Sequence, residues 1–193
     1  NAHIGLHGVD LADATERLEM AGQFWPPDRH PHAGPSLGDG PHHVAADIGC
    51  HLFAILPPFH IGNTTMGYGL GAAGAAAFNT PSAKRAISIM GDGGFWHNGL
   101  TSGIANAVFN KSDSLTLIVD NNYTAATGGQ DILSSRAGNR TRSTWHPIEK
   151  AVRGVGVNWV RTVSNTYSLT QMRDALREAL TTRDKGPKVI VAQ

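Results

Sequence analysis

The sequence predicts one α/β domain built on a doubly wound parallel sheet. Three observations lead there: short apolar runs of strand length, helical patterns set between them, and turn residues closing each run. A length of 193 residues suits one such domain with a single filled core and falls short of two.

In chain order, residues 1–22 carry Leu11, Ala14, Leu18 and Ala21 at helical spacing. Residues 23–43 form a loop in which Pro26, Pro27, Pro31, Pro35 and Pro41 alternate with Gly and His. Val44 to Ile48 reads as a first buried strand that ends at Gly49. Asn63-Thr64-Thr65 reads as a polar turn, and the small residues from Met66 to Phe78 as a tightly packed helix that serves either packing or a ligand. Ala86 to Met90 is the next strand; it runs into Gly91-Asp92-Gly93-Gly94 and a helix over about Asn98 to Phe109 that opens near Phe95. Leu115 to Val119 follows, then Asp120-Asn121-Asn122 and a polar loop from Tyr123 to Ser143. A short helix near Pro147 to Val152, a strand Val157 to Val163, an amphipathic helix Leu169 to Leu180 and a strand Val189 to Ala192 complete the alternation. Residues 1–193 are expected to form a single domain excised from a longer protein, with Asn1-Ala2 as a tag remnant; the alternative is a naturally short subunit.

Composition removes several function classes. Apolar residues make up 40%, so the chain folds. The net charge is +1 and the 16 basic residues are scattered, without the basic stripe that nucleic-acid binding requires. No apolar run reaches the roughly 18 residues of a membrane span, and no signal peptide is visible. The single cysteine, Cys50, rules out an internal disulfide or a metal centre of several thiolates within this chain, and a cytoplasmic setting is expected. The 23 glycines stand out, with clusters at Gly67 to Gly74 and Gly91 to Gly94, where backbone is to approach a ligand or another backbone closely.

Two strand ends carry the chemistry. Asp92 lies just past one strand and Asn121 just past the next, separated by about 30 residues, the length of one strand-helix-strand unit. Adjacent parallel strands then bring both to the carboxyl edge of the sheet, where open α/β sheets bind ligands. A carboxylate and an amide oxygen are hard donors that suit Mg2+ with a phosphate ligand. The glycines around Asp92 admit a diphosphate to backbone amides at a helix start.

Gly91-Asp92-Gly93 followed by Asp120-Asn121-Asn122 resembles the signature of thiamine-diphosphate enzymes. Further likeness lies in Gly49-Cys50, Asn63-Thr64-Thr65, Gly91 to Gly99, Asn106 to Lys111 and Asp120 to Gln130 with its Thr127-Gly128-Gly129-Gln130. These motifs are similar to the alpha subunits of indolepyruvate ferredoxin oxidoreductases and related 2-oxoacid oxidoreductases, over residues 44–135. The resemblance implies a thiamine-diphosphate-binding domain of the kind that holds the diphosphate. It implies a metal held by an aspartate, an asparagine and a backbone carbonyl two residues beyond. Aligned on Thr127 to Gln130, the ligands are Asp92, Asn121 and the Tyr123 carbonyl; aligned on the paired asparagines, they are Asp92, Asn122 and the Thr124 carbonyl. The first register fits the family spacing better.

By the same resemblance Gly49, Cys50, Thr65, Met66, Gly91, Asp92, Gly93, Gly94, Asn121, Tyr123 and Thr124 are expected to bind cofactor, with Gly49 to His51 near the reacting face. Catalytic candidates are His97, Cys50 and His51. Iron–sulfur clusters, coenzyme A and a ferredoxin acceptor are expected only through a parent enzyme, and the glutamate that activates the cofactor only from a separate pyrimidine-binding domain or subunit. A homo-oligomer is implied, and this chain alone is expected to bind cofactor without turnover.

Blander readings compete. Gly69-Leu70-Gly71-Ala72-Ala73-Gly74 matches a dinucleotide fingerprint, with Asp92 18 residues later; its weakness is the turn-like Asn63-Thr64-Thr65 where a strand should precede. A cofactor domain of a non-oxidative decarboxylase of the sulfopyruvate or phosphonopyruvate kind is the alternative within the enzymes, and a degenerate structural copy is a further one. Cys50 reads as a buried small hydrophobe or as part of the site. His30, His32, His42 and His43 read as solvated loop residues, and Trp96 as packing.

Overall fold

The computed structural model describes residues 42–79, 84–136 and 144–193. The helical pattern over 1–22, most of the proline-rich loop, His30, His32 and the end of the 123–143 loop lie outside them.

Among these residues six parallel strands form one sheet in the order β2-β1-β3-β4-β6-β5. They are β1 Val44–Ala46, β2 Thr64–Thr65, β3 Ile87–Gly91, β4 Leu115–Val119, β5 Trp159–Val163 and β6 Lys188–Ala192. Helices cover both faces, as the sequence predicts. They are α1 Gly71–Ala76, α2 over 92–109, α3 Ile148–Gly154 and α4 Leu169–Thr181, with a 3-10 helix at Cys50–Ile55.

The strands bury both faces, and their side chains divide by the two-residue period. Met90, Ile118, Val189 and Val191 join Ala72, Phe95, Ile104, Ile148 and Val152 in one core, so α1, α2 and α3 share that face. Ile87, Leu115 and Ile190 point the other way, to Ala175 and Ala179 of α4 and Ala54 of the 3-10 helix. At the amino edge, Arg85 donates to the carbonyls of Ala179, Leu180 and Thr182, closing the end of α4.

Three expectations need correction. Thr64–Thr65 is not a turn but a short edge strand, paired in parallel with Ala45 and Ala46. The helix expected over Met66 to Phe78 is confined to Gly71–Ala76, because the chain reverses at Gly69, whose φ is +80°. And α2 opens at Asp92 rather than near Phe95, so Gly93 and Gly94 are its first turn and not a loop. Its middle, Phe95–Ala105, is wound as a π-helix, a form that gathers at functional sites.

Candidate functional site

Gly91 pairs with Val119 and Val119 with Ala192, so Asp92 and Asp120 each stand one residue beyond the same sheet edge. Gly91 is extended and Asp92 begins α2, where a carboxylate meets unpaired amides. Asp92 Oδ1 accepts from the Gly93 amide at 2.8 Å. The carboxyl is buried, and that burial, with the neighbouring Asp120 charge second, pushes its pKa up to about 7.

The Asn121 carboxamide faces both Asp92 oxygens at 3.2 Å and the Tyr123 carbonyl oxygen at 2.7 Å. With its NH2 turned inward it donates to all three; with its oxygen inward, oxygens of three residues converge on one point. Asn122 makes the reversal between these groups at a φ of +70°, a conformation asparagine tolerates. Its carbonyl accepts from Ser135 Oγ at 2.5 Å, and Ser135 Oγ takes the Ile132 amide at 2.8 Å. Beside that latch, Trp96 Nε1 donates to Ser134 Oγ at 2.9 Å, so Trp96 both packs and fastens the loop. The Thr124 carbonyl accepts from the Gly129 amide at 3.0 Å. The structure therefore brings together Asp92, Asn121 and Tyr123, and engages Asn122 and Thr124 in holding the turn.

Asp47, Tyr68, Asp120 and Ser135 were not assigned roles from the sequence. Asp47 is fully buried at the end of β1, and its Oδ1 and Oδ2 accept from the Gly69 amide at 2.8 and 2.9 Å. Burial pushes its pKa up against those hydrogen bonds. Tyr68 bonds through its hydroxyl to the Thr124 side chain, and its ring lies 5.0 Å from that of His97. Asp120 accepts from Gln193 Nε2 at 3.0 Å through Oδ2, while its buried Oδ1 has no partner. Asp47, an acid at a strand end followed shortly by glycine, carries the same local signature as Asp92.

The other candidates diverge. Cys50 is exposed at the start of the 3-10 helix rather than buried. His51 lies against Gly49, its Nε2 sealed without a partner, and burial drives its pKa down to about 4, so the ring is neutral. His97 is exposed beside Tyr68. Thr65 and Met66 are exposed next to the site edge. His42 and His43, expected to be solvated, are tied down: His42 Nδ1 bonds the Arg85 carbonyl at 2.8 Å, and His43 stacks on Phe78 and bonds Thr64 Oγ1 at 3.0 Å.

The dinucleotide reading does not hold, though for a different reason from the one the sequence offered, since a strand does precede the glycines. A Cβ at Gly69 would meet the Gly94 carbonyl oxygen at 2.7 Å, one at Gly71 the Ser88 hydroxyl at 2.7 Å, and one at Gly74 the Met66 sulfur at 3.2 Å. These glycines admit protein and leave no berth for a nucleotide.

Two acids at one sheet edge, a helix opening on glycines and an asparagine turned toward the first acid define a diphosphate-binding α/β domain. The chain belongs to the thiamine pyrophosphate enzymes: their C-terminal TPP-binding domain matches residues 47–192. Among its relatives is the indolepyruvate oxidoreductase subunit IorA of Archaeoglobus fulgidus, 33% identical over 163 residues, covering 81% of this chain and 24% of that protein. The IorA subunit of Thermococcus kodakarensis is 26% identical over 211 residues, covering 96% of this chain and 32% of that protein. The chain thus spans about a third or less of the length of these relatives. In fold it is similar to a 2-oxoglutarate:ferredoxin oxidoreductase from Magnetococcus marinus, with a TM-score of 0.61 at 15% identity over 78% of this chain and 53% of that one. It is also similar to the benzoylformate decarboxylase of Polynucleobacter necessarius, with a TM-score of 0.52 at 17% identity over 91% of this chain and 32% of that one.

Proposed function

We propose that this chain holds thiamine diphosphate and Mg2+ for a 2-oxoacid:ferredoxin oxidoreductase acting on indolepyruvate or a similar 2-oxo acid. The observation that carries the metal is the convergence of Asp92, Asn121 and the Tyr123 carbonyl. An octahedral Mg2+ with oxygens at about 2.1 Å sets neighbouring oxygens about 3 Å apart, and the Asn121 carboxamide stands 2.7 to 3.2 Å from its neighbours. In this reading Asn121 turns its oxygen inward to the metal, and the Tyr123 carbonyl and Asp92 complete the protein side. The diphosphate would meet the start of α2 beside Gly91, where an added Cβ would touch nothing within 4 Å. Bound there, thiamine diphosphate supplies the carbanion and electron sink for decarboxylation; the chain binds, orients and excludes water.

The remaining parts of the reaction belong to other domains or subunits. Among the described residues the glutamates are Glu149 and Glu178, ion-paired with Arg153 and Arg161, so the activating glutamate comes from a pyrimidine-binding partner. Ile48, Phe53, Ile55, Leu56 and Met66 expose large apolar surfaces on the segments that follow β1 and β2, and support such a partner docking there, from the same or a second protomer. Iron–sulfur clusters, coenzyme A chemistry and the ferredoxin acceptor fall to the parent enzyme.

The test is thermal melting with thiamine diphosphate and Mg2+, with thiamine diphosphate and a chelator, and with NAD, for wild type and Asp92→Ala. A ligand at 100 times its Kd adds about 2.7 kcal/mol, a shift of several degrees. A shift that needs both metal and thiamine diphosphate and vanishes in Asp92→Ala supports the reading. A shift with NAD alone, or one indifferent to metal, sinks it.

A further inference from the structure

We propose that the Tyr68 hydroxyl, paired with the Thr124 hydroxyl over Gly93, is a direct contact for the cofactor's diphosphate. The inference rests on the cofactor reading above and adds to it a side chain that neither the metal set nor the helix start provides. A Cβ at Gly93 would come within 2.5 Å of the Tyr68 hydroxyl and 2.6 Å of Thr124 Oγ1. Both hydroxyls therefore rest on the first turn of α2, where the phosphates are to lie. The Gly93 amide is already given to Asp92 Oδ1, so at this glycine the donor open to a phosphate is a hydroxyl and not the amide.

The hydroxyl pair can supply it. Two hydroxyls that share one hydrogen bond spend one of their two protons on each other, and the second remains for a ligand oxygen. Burial, then the Asp47 and Asp92 charges, keep the phenol protonated, so the pair stays a donor. Its position is fixed from behind. Tyr68 precedes Gly69, whose amide both Asp47 oxygens hold and whose Cα is wedged against Gly94, Asn98 and Gly99. Two buried acids in this corner also make a lone anion unwelcome, so a donor here is worth more than one facing solvent.

The protein as encoded, with the subunits that copurify with it, is titrated calorimetrically with thiamine diphosphate and with inorganic pyrophosphate, each with Mg2+. Tyr68→Phe keeps the ring on His97 and removes one oxygen. Its Kd for both ligands is expected to rise about tenfold or more, the worth of a hydrogen bond to a charged acceptor, at an unchanged ligand-free Tm. Thr124→Val tests the partner hydroxyl and carries the result if Tyr68→Phe lowers the Tm. Pyrophosphate affinity unchanged in both variants overturns the proposal, whatever happens to thiamine diphosphate. A wild type that binds both ligands beside variants that bind as well overturns this inference alone; a wild type that binds neither overturns the cofactor reading with it.

Discussion

Asp47 takes the Gly69 amide in both carboxylate oxygens, at 2.8 and 2.9 Å, and so fastens the turn carrying Tyr68 to the one carrying Asp92. Its Oδ2 would collide with a Cβ at Gly94, so the two turns touch through this carboxylate. Gly94→Ala is expected to cost about 1–3 kcal/mol by overpacking. Asp47→Ala strands buried amides at a cost of similar size. In the double variant the clash is gone, so the losses are less than additive; chemical denaturation of the four proteins measures that coupling. Strict additivity would separate the two turns.

The first and second asparagines of the pair separate by role. Asn121→Ala is expected to abolish Mg2+-dependent binding of thiamine diphosphate. Asn122→Gly keeps it, because Asn122 contributes a left-handed backbone and a carbonyl rather than its side chain. Titration of Mg2+ at fixed thiamine diphosphate reads the difference. The reverse order of effects would restore the register built on Asn122 and Thr124.

Ser135→Ala removes the group that accepts from Ile132 and donates to Asn122. The loss is expected near 1–2 kcal/mol of stability, with weaker Mg2+ affinity because Asn121 and Tyr123 flank the released residue. A variant that melts lower but binds Mg2+ unchanged would detach this latch from the site.

Two buried groups give the metal-free protein opposite pH dependences. Asp92 has its pKa raised to about 7 when folded, so the folded state holds a proton that the unfolded state releases near 4. Its contribution to stability is greatest below that and is lost as pH rises toward 7. His51 is depressed to about 4, so the folded state refuses a proton and stability from this group grows as pH rises from 4 to 6.5. The two oppose each other over the shared range. Asp92→Asn is expected to leave Tm rising with pH across it, and His51→Gln to leave it falling. Melting curves from pH 4 to 8 decide, and parallel curves for all three proteins would refute both assignments. If Mg2+ binds Asp92 as proposed it must displace the Asp92 proton, and metal affinity in wild type is then expected to climb with pH up to about 7.

Much of the fold was legible in the sequence because buried parallel strands are short, largely apolar runs. Leu115 to Val119 needed no adjustment, Ile87–Gly91 shifted by one residue, and Lys188–Ala192 gained one at its start. Thr64–Thr65 escaped because two polar residues at a sheet edge have no pattern to show; only pairing with β1 makes them a strand. Asp92 and Asn121 stood out because two strand ends one crossover apart must share an edge, whereas Tyr123 was reached only through the resemblance. Tyr68 was hidden in a stretch of small residues that reads as helix, and its contacts to Thr124 and Gly93 join segments far apart in the chain. Asp47 was absorbed into an apolar run, although an acid closing such a run is itself the signal.

The sheet order has a consequence for how the molecule is made. Among the described strands β5 pairs only with β6, and β6 lies between β5 and β4 although it follows both in sequence. As the chain leaves the ribosome, Trp159–Val163 has no neighbour among the described strands to join until residues 188–192 have emerged. Asp120 likewise waits for its amide to meet the Ala192 carbonyl and its carboxylate to meet Gln193. Two of the six strands and the footing of the cofactor edge are therefore assembled together once residues 188–193 are available, with one edge of β4 and its apolar flank exposed until then.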